Sequence, residues 1–101
     1  MKLSMFAMCL GATALAQAAP DGQALAAQHS CLACHAVDHR ILGPAYKDVA
    51  ARYKNDRGAE QRLMAKVKSG GAGVWGQVPM PPQAVGDADL KLIVDWVLSQ
   101  K

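Results

Sequence analysis

Aromatic side chains are scarce in this 101-residue chain, which has two tryptophans, two tyrosines and one phenylalanine. The phenylalanine, Phe6, lies in the apolar N-terminal stretch, so the remainder has only Tyr46, Tyr53, Trp75 and Trp96 with which to build a core. A second cysteine pair is absent as well, which argues against a structural zinc site of the usual four-ligand kind. No apolar run reaches the ~20 residues needed to span a bilayer. The excess of basic over acidic side chains is small, eleven against eight, and too weak to argue for nucleic acid. There is no internal repeat and no low-complexity tract beyond the N-terminal segment.

That segment reads as a removable leader. Lys2 gives a positive start, Leu3 to Ala16 is nearly continuous apolar sequence, and Ala16-Gln17-Ala18 fits the small-x-small cleavage rule. A lipoprotein signal would need a small residue before Cys9, where Met8 stands, and Cys9 comes too early in the chain, so Cys9 reads as an incidental apolar residue. The expected division is therefore a signal peptide over 1–18 and one domain over 19–101. Without Lys2, ten basic and eight acidic side chains remain, a formal charge of +2. A domain of this size buries only about 60% of its unfolded surface and generally needs a staple.

Cys31-Leu32-Ala33-Cys34-His35 supplies one. Two thiols three positions apart, followed at once by histidine, form the attachment pattern for c-type haem. Each thiol adds across a porphyrin vinyl group, one helical turn spans the distance between them, and the next residue is carried under the iron. A redox dithiol is the rival reading, but it calls for a strand–helix–strand setting and no convincing strand flanks the motif. With both cysteines consumed by haem, no disulfide is expected even in an oxidising compartment.

The pattern predicts only helices. Asp21 caps a short one running to Gln28 or His29. Asp38 to Pro44 reads as a loop, and the Pro44 carbonyl is available to accept a hydrogen bond from the free ring nitrogen of His35. Further helices are expected over Tyr46–Tyr53 and Ala59–Lys68, the latter ended by the glycines after Ser69. Val74 to Pro82 holds too much proline for a helix or a central strand. Leu90, Ile93, Val94, Val97 and Leu98 then recur at helical spacing in a last helix, with Asp87 as its N-cap and its end near Gln100.

Two methionines follow the leader. Met64 lies on the apolar side of a short helix and reads as core. Met80 sits among prolines in an irregular loop that can hold a thioether at a fixed point, which makes it the candidate second iron ligand; thioether sulfur favours the reduced state. His29 and His39 lie too close to the attachment motif to reach the other side of the same haem and read as surface residues. From Arg40 to Lys68 eight basic side chains face only Asp48, Asp56 and Glu60. They read as a solvated helical face or, alternatively, as a docking rim for an acidic partner.

These motifs, together with Gly43-Pro44-Ala45-Tyr46-Lys47-Asp48-Val49-Ala50, Gly73-Val74-Trp75-Gly76, Val78-Pro79-Met80-Pro81-Pro82 and Asp95-Trp96-Val97-Leu98-Ser99-Gln100-Lys101, resemble the short bacterial class I cytochromes c of the c-551 type. The resemblance spans Asp21 to Lys101. It implies an all-α fold of four or five short helices around one haem, with the first and last helices crossing. It implies thioethers at Cys31 and Cys34, axial ligands His35 and Met80, support of His35 by Pro44, and a propionate contact from the Trp75 indole. Lys66 stands where the family often has a propionate-binding arginine, and lysine offers a point charge without the planar fork. Ala26 replaces a frequent phenylalanine, so a looser helix crossing is expected. Gln83 replaces an asparagine that commonly bonds the methionine sulfur. The function implied is that of a monomeric periplasmic carrier of single electrons and not an enzyme, with no membrane anchor. The implied donor is a cytochrome bc complex, and the acceptor a nitrite reductase, terminal oxidase or cytochrome c peroxidase. The alternative is a gas- or peroxide-binding haem domain with a labile Met80, against which the absence of a distal histidine–arginine pair weighs.

Overall fold

The computed structural model describes residues 21–101 together with Gly11, and the expected leader lies outside the described residues. Four α-helices make up the domain: α1 (Gly22–Gln28), α2 (Tyr46–Arg52), α3 (Ala59–Ser69) and α4 (Asp87–Leu98), with one 3-10 turn over Cys31–Ala33. No strand is present among the described residues, only two isolated antiparallel bridges, His35 with Arg40 and Gly71 with Met80.

The amphipathic stripe of α4 organises the rest. Its Leu90, Ile93, Val94 and Val97 are buried, and α1, α2 and α3 all pack on it. Leu25 and Ala26 of α1, Tyr46 and Val49 of α2, and Val85 complete the core cluster. Half-buried Met64 and Val67 of α3 lean on this cluster, as the helical spacing of Met64 predicts. Ala26 is fully buried. Beside it, a methyl added to Gly22 would lie 2.2 Å from the Leu92 carbonyl oxygen and 2.3 Å from Trp96 Cβ. The crossing of α1 with α4 is therefore tight, and the expectation that Ala26 loosens it is corrected. The missing aromatic bulk is offset by close approach of the two backbones.

Helix ends follow local chemistry. The Asp21 carboxylate accepts from the Ala24 N–H at 2.8 Å, as expected of an N-cap. For α4 the cap is Gly86, in extended conformation, and not Asp87. Asp87 instead pairs with Lys68, joining α3 to the start of α4. That helix also stops at Leu98 rather than near Gln100, because Ser99 Oγ and Gln100 Nε2 donate to the Trp96 carbonyl at 2.6 and 2.8 Å. Tyr53 is the C-cap of α2, one residue sooner than its expected end. Ser69 extends α3 by one residue, its hydroxyl donating to the Ala65 carbonyl, before Gly70 ends the helix at φ 72°. Lys91 bridges Asp95, one turn along, and Glu60 of α3, so that α3 is tied to α4 near both of its own ends.

Candidate functional site

A cavity of ≈ 380 Å³ opens between the loop after the 3-10 turn, the loop after α3, and the buried face of α4. Cys31, Cys34, His35, Pro44, Lys66, Trp75 and Met80 all line it, so every candidate site residue converges there. Leu90, Ile93 and Val97 of α4, with Val49, Leu63, Val67 and Val85, supply an apolar lining.

The 3-10 turn presents the two cysteines. Their thiols are free and half-buried. Burial pushes the Cys31 thiol above its ordinary pKa, with a smaller contribution from Cys34 beside it. No group of three or more His, Cys, Asp or Glu side chains able to hold a metal ion occurs among the described residues, which removes the zinc reading. The redox-dithiol reading loses its strand–helix–strand setting.

His35 is fixed from three sides. Its Nδ1 lies 2.8 Å from the Pro44 carbonyl oxygen. A carbonyl only accepts, so Nδ1 carries the hydrogen and Nε2 keeps its lone pair for a metal. The ring stacks on Tyr46, with centroids 4.9 Å apart and planes 16° from parallel. Gly43 presses on it directly: a methyl there would sit 2.3 Å from His35 Cε1. The loop that brings these groups together closes on itself through Gly43 N–H to the Cys34 carbonyl at 2.8 Å. It also caps α2, whose N-cap Ala45 offers no side-chain acceptor. The Tyr46 and Lys47 amides donate instead to the Ala36 and Val37 carbonyls, each at 2.9 Å.

Met80 is held by its backbone. Its N–H donates to the Gly71 carbonyl at 2.8 Å, and its carbonyl accepts from the Gly71 N–H at 3.0 Å. A side chain at Gly70 would fall 2.5 Å from the Met80 carbonyl, so this register needs glycine there. Downstream, the Gln83 N–H donates to the Val67 carbonyl at 3.0 Å, returning the chain to α3. The Gln83 side-chain amide donates to the Pro81 carbonyl at 2.9 Å, which is where its extra length takes it.

Trp75 is half-buried, with the Arg52 guanidinium 5.1 Å from its ring centroid, and its carbonyl accepts from Arg40 Nη2 at 2.8 Å. Neither arginine contact was legible in the sequence, nor was the role of Gly43. The dipeptide Gly43-Pro44 signalled only a turn. Several of the clustered basic residues are thus spent within the molecule, Arg62 on Asp56 and Lys68 on Asp87 among them. His39 is exposed beside Asp38, as expected. His29 is not the plain surface residue expected: half-buried, it meets Asp89 of α4 at 3.2 Å, because the crossing of α1 and α4 brings that carboxylate to it.

The donor set suits haem c: two thiols, an imidazole of fixed tautomer, a thioether, and mostly apolar walls with Arg40 and Lys66 among them. The group that fills this cavity is the larger part of the core that the aromatic-poor sequence lacks.

The Cytochrome c family model matches residues 19–101. Cytochrome c-551 of Pseudomonas aeruginosa is 50% identical over 91 residues, covering 88% of this chain and 88% of that protein. Cytochrome c-551 of Allochromatium vinosum is 51% identical over 92 residues, covering 90% of this chain and 98% of that one. The crystal structure of wild-type Nitrosomonas europaea cytochrome c552 superposes with a TM-score of 0.74 at 49% identity, covering 76% of this chain and 96% of that chain.

Proposed function

The chain belongs to the cytochrome c family, with the class I fold and one covalent haem c, and from that premise we propose that it shuttles single electrons between respiratory complexes in the periplasm. The haem iron supplies the one-electron couple. The chain's residues would hold it, Cys31 and Cys34 through thioethers and His35 and Met80 by supplying a nitrogen and a sulfur to the iron. Residues 1–18 are a leader removed on export. Lys66 and Trp75, which line the cavity, would serve the propionates.

The observation that carries this reading is the restraint on both candidate ligands. Nδ1 of His35 is spent on Pro44, and both backbone hydrogen-bonding groups of Met80 are spent on Gly71. An iron held six-coordinate by fixed ligands changes geometry little between oxidation states, which suits a carrier. The same restraint weighs against a labile Met80 and hence against gas or peroxide binding.

An exposed apolar group offers a docking face. Leu32, Ile41, Leu42, Val74 and Val78 are all exposed, and Leu42, Val74 and Val78 line the cavity mouth. Two ionised propionates and a ferric porphyrin core of +1 bring the +2 of residues 19–101 to +1, and reduction brings it to 0. So small a charge steers weakly at physiological salt, where screening acts over ~8 Å. Partner choice therefore rests on the fit of this face. A cytochrome bc complex as donor, and a nitrite reductase, terminal oxidase or cytochrome c peroxidase as acceptor, fit this role.

The ligand set is tested on the purified holoprotein. In alkaline pyridine the reduced, denatured protein should give a c-type spectrum, and the oxidised native protein a weak near-infrared sulfur-to-iron band. Met80→Ala should abolish that band and lower the potential. A band that survives in Met80→Ala refutes Met80 as the ligand and turns attention to Met64.

A further inference from the structure

Residues 71–79, which lead to Met80, are exposed except for half-buried Trp75. Trp75 is the one side chain of this segment that packs on the core cluster, and the segment otherwise lines the haem cavity. Its remaining ties within the domain are the Gly71–Met80 bridge at its base, a Gly73 N–H to Gly76 carbonyl bond across its tip at 2.8 Å, and two arginines on Trp75. Arg52 meets the ring from α2.

Arg40 differs because of where it comes from. It belongs to the loop that carries His35, and it pairs with His35 itself in an isolated antiparallel bridge. Arg40 helps to line the cavity, and its Nη2 donates to the Trp75 carbonyl at 2.8 Å. Gly76 leaves room for it, since a methyl there would stand 3.2 Å from Nη2. One side chain thus joins the His35 loop to the Met80 loop. A charged donor on a neutral carbonyl is among the stronger hydrogen bonds, and a guanidinium reaches farther than an ammonium and directs its donors in a plane.

We propose that Arg40 is a positioning residue, a strap that ties the Met80 loop to the His35 loop and slows the excursions in which the Met80 thioether leaves its place. This rests on the assignment of Met80 as a ligand. The strap contributes little to global stability, because it is exposed, but it acts on a segment tied to the protein core through Trp75 alone, where local opening costs less than global unfolding.

The test uses oxidised holoprotein and imidazole, whose nitrogen replaces the Met80 sulfur on iron with no change of oxidation state. At saturating imidazole the exchange rate reads the opening of the loop. Arg40→Met, which keeps an unbranched chain but has neither charge nor donor, should raise that rate about five-fold, as loss of ~1 kcal/mol would. Arg40→Lys should fall between the two. Lys47→Met removes a charge from the next element without touching Trp75 and should leave the rate unchanged. An unaltered rate in Arg40→Met overturns the proposal, as does an equal acceleration in Lys47→Met, which would assign the effect to charge alone. The near-infrared band of the wild type is read first. Its absence would refute the ligand assignment, whereas its presence with unaltered exchange in Arg40→Met refutes only the strap.

Discussion

Replacing Gly22 with alanine should destabilise the protein, although alanine is the better helix former. On propensity alone the change favours the helix by up to ~1 kcal/mol. The tertiary structure reverses the sign. The new methyl would stand 2.2 Å from the Leu92 carbonyl oxygen and 2.3 Å from Trp96 Cβ, where ordinary contacts lie near ~3.5 Å. The Leu92 oxygen belongs to the α4 backbone and cannot rotate away, so α1 must retreat by roughly 1 Å at its first turn. Leu25 and Ala26, which are 3% and 0% exposed, would lose close packing against α4. Overpacking of this kind costs typically ~1–3 kcal/mol. Set against the propensity gain, the net loss is about 1 kcal/mol, which lowers the melting temperature by about 4–8 °C in a domain this small. Guanidinium unfolding of the holoprotein, followed by far-ultraviolet circular dichroism, reads it as a lower midpoint at unchanged slope. Ala27→Gly, on the exposed side of α1, gives the pure propensity effect for comparison. A midpoint for Gly22→Ala equal to or above the wild type would show that the helix crossing has slack, and the close approach of α1 to α4 would not be what holds that end of the domain.

Two further outcomes follow from the surface. Ile41→Asp or Leu42→Asp should slow electron transfer to a physiological partner more than Lys47→Ala does, with the haem spectrum unchanged and salt slowing the wild type only modestly; a steep salt dependence, with aspartate tolerated at both positions, would assign docking to the basic residues instead. The Asp95 carboxyl is held below its ordinary pKa by its neighbours Glu60 and Lys91, of which Lys91 donates to it at 2.7 Å, so its contribution to stability is present above the usual carboxylate range and is lost as pH falls through its folded value. The stability difference between wild type and Asp95→Asn, measured by denaturant titration across the acid range, should therefore shrink toward zero at low pH and at high salt; a difference that grows on acidification refutes the sign.

The residues proposed to hold the haem stood out in the sequence because their constraints are local. Cys31, Cys34 and His35 must sit at fixed spacing to span one porphyrin edge, and a turn of chain enforces that spacing whatever surrounds it. Met80 stood out because prolines deny its segment both helix and central strand. Even the Pro44–His35 bond could be foreseen, since one short loop joins them. The stripe of α4 was equally plain, because its period alone dictates which side is buried. What the sequence left open involves residues far apart in it. Ala26 suggested a loose crossing, yet the α1 backbone closes onto α4 at Gly22, and no local signal marks that glycine as a contact point. His29 and Asp89 are 60 residues apart, and nothing near either one announces the pair. Arg40 reads as one more surface base until the fold brings the Trp75 carbonyl to it from 35 residues away. Local geometry and periodicity thus determine which side chains can bind and which helix faces are buried; how closely two backbones approach, and which loop is fastened to which, is decided only when all the elements pack at once.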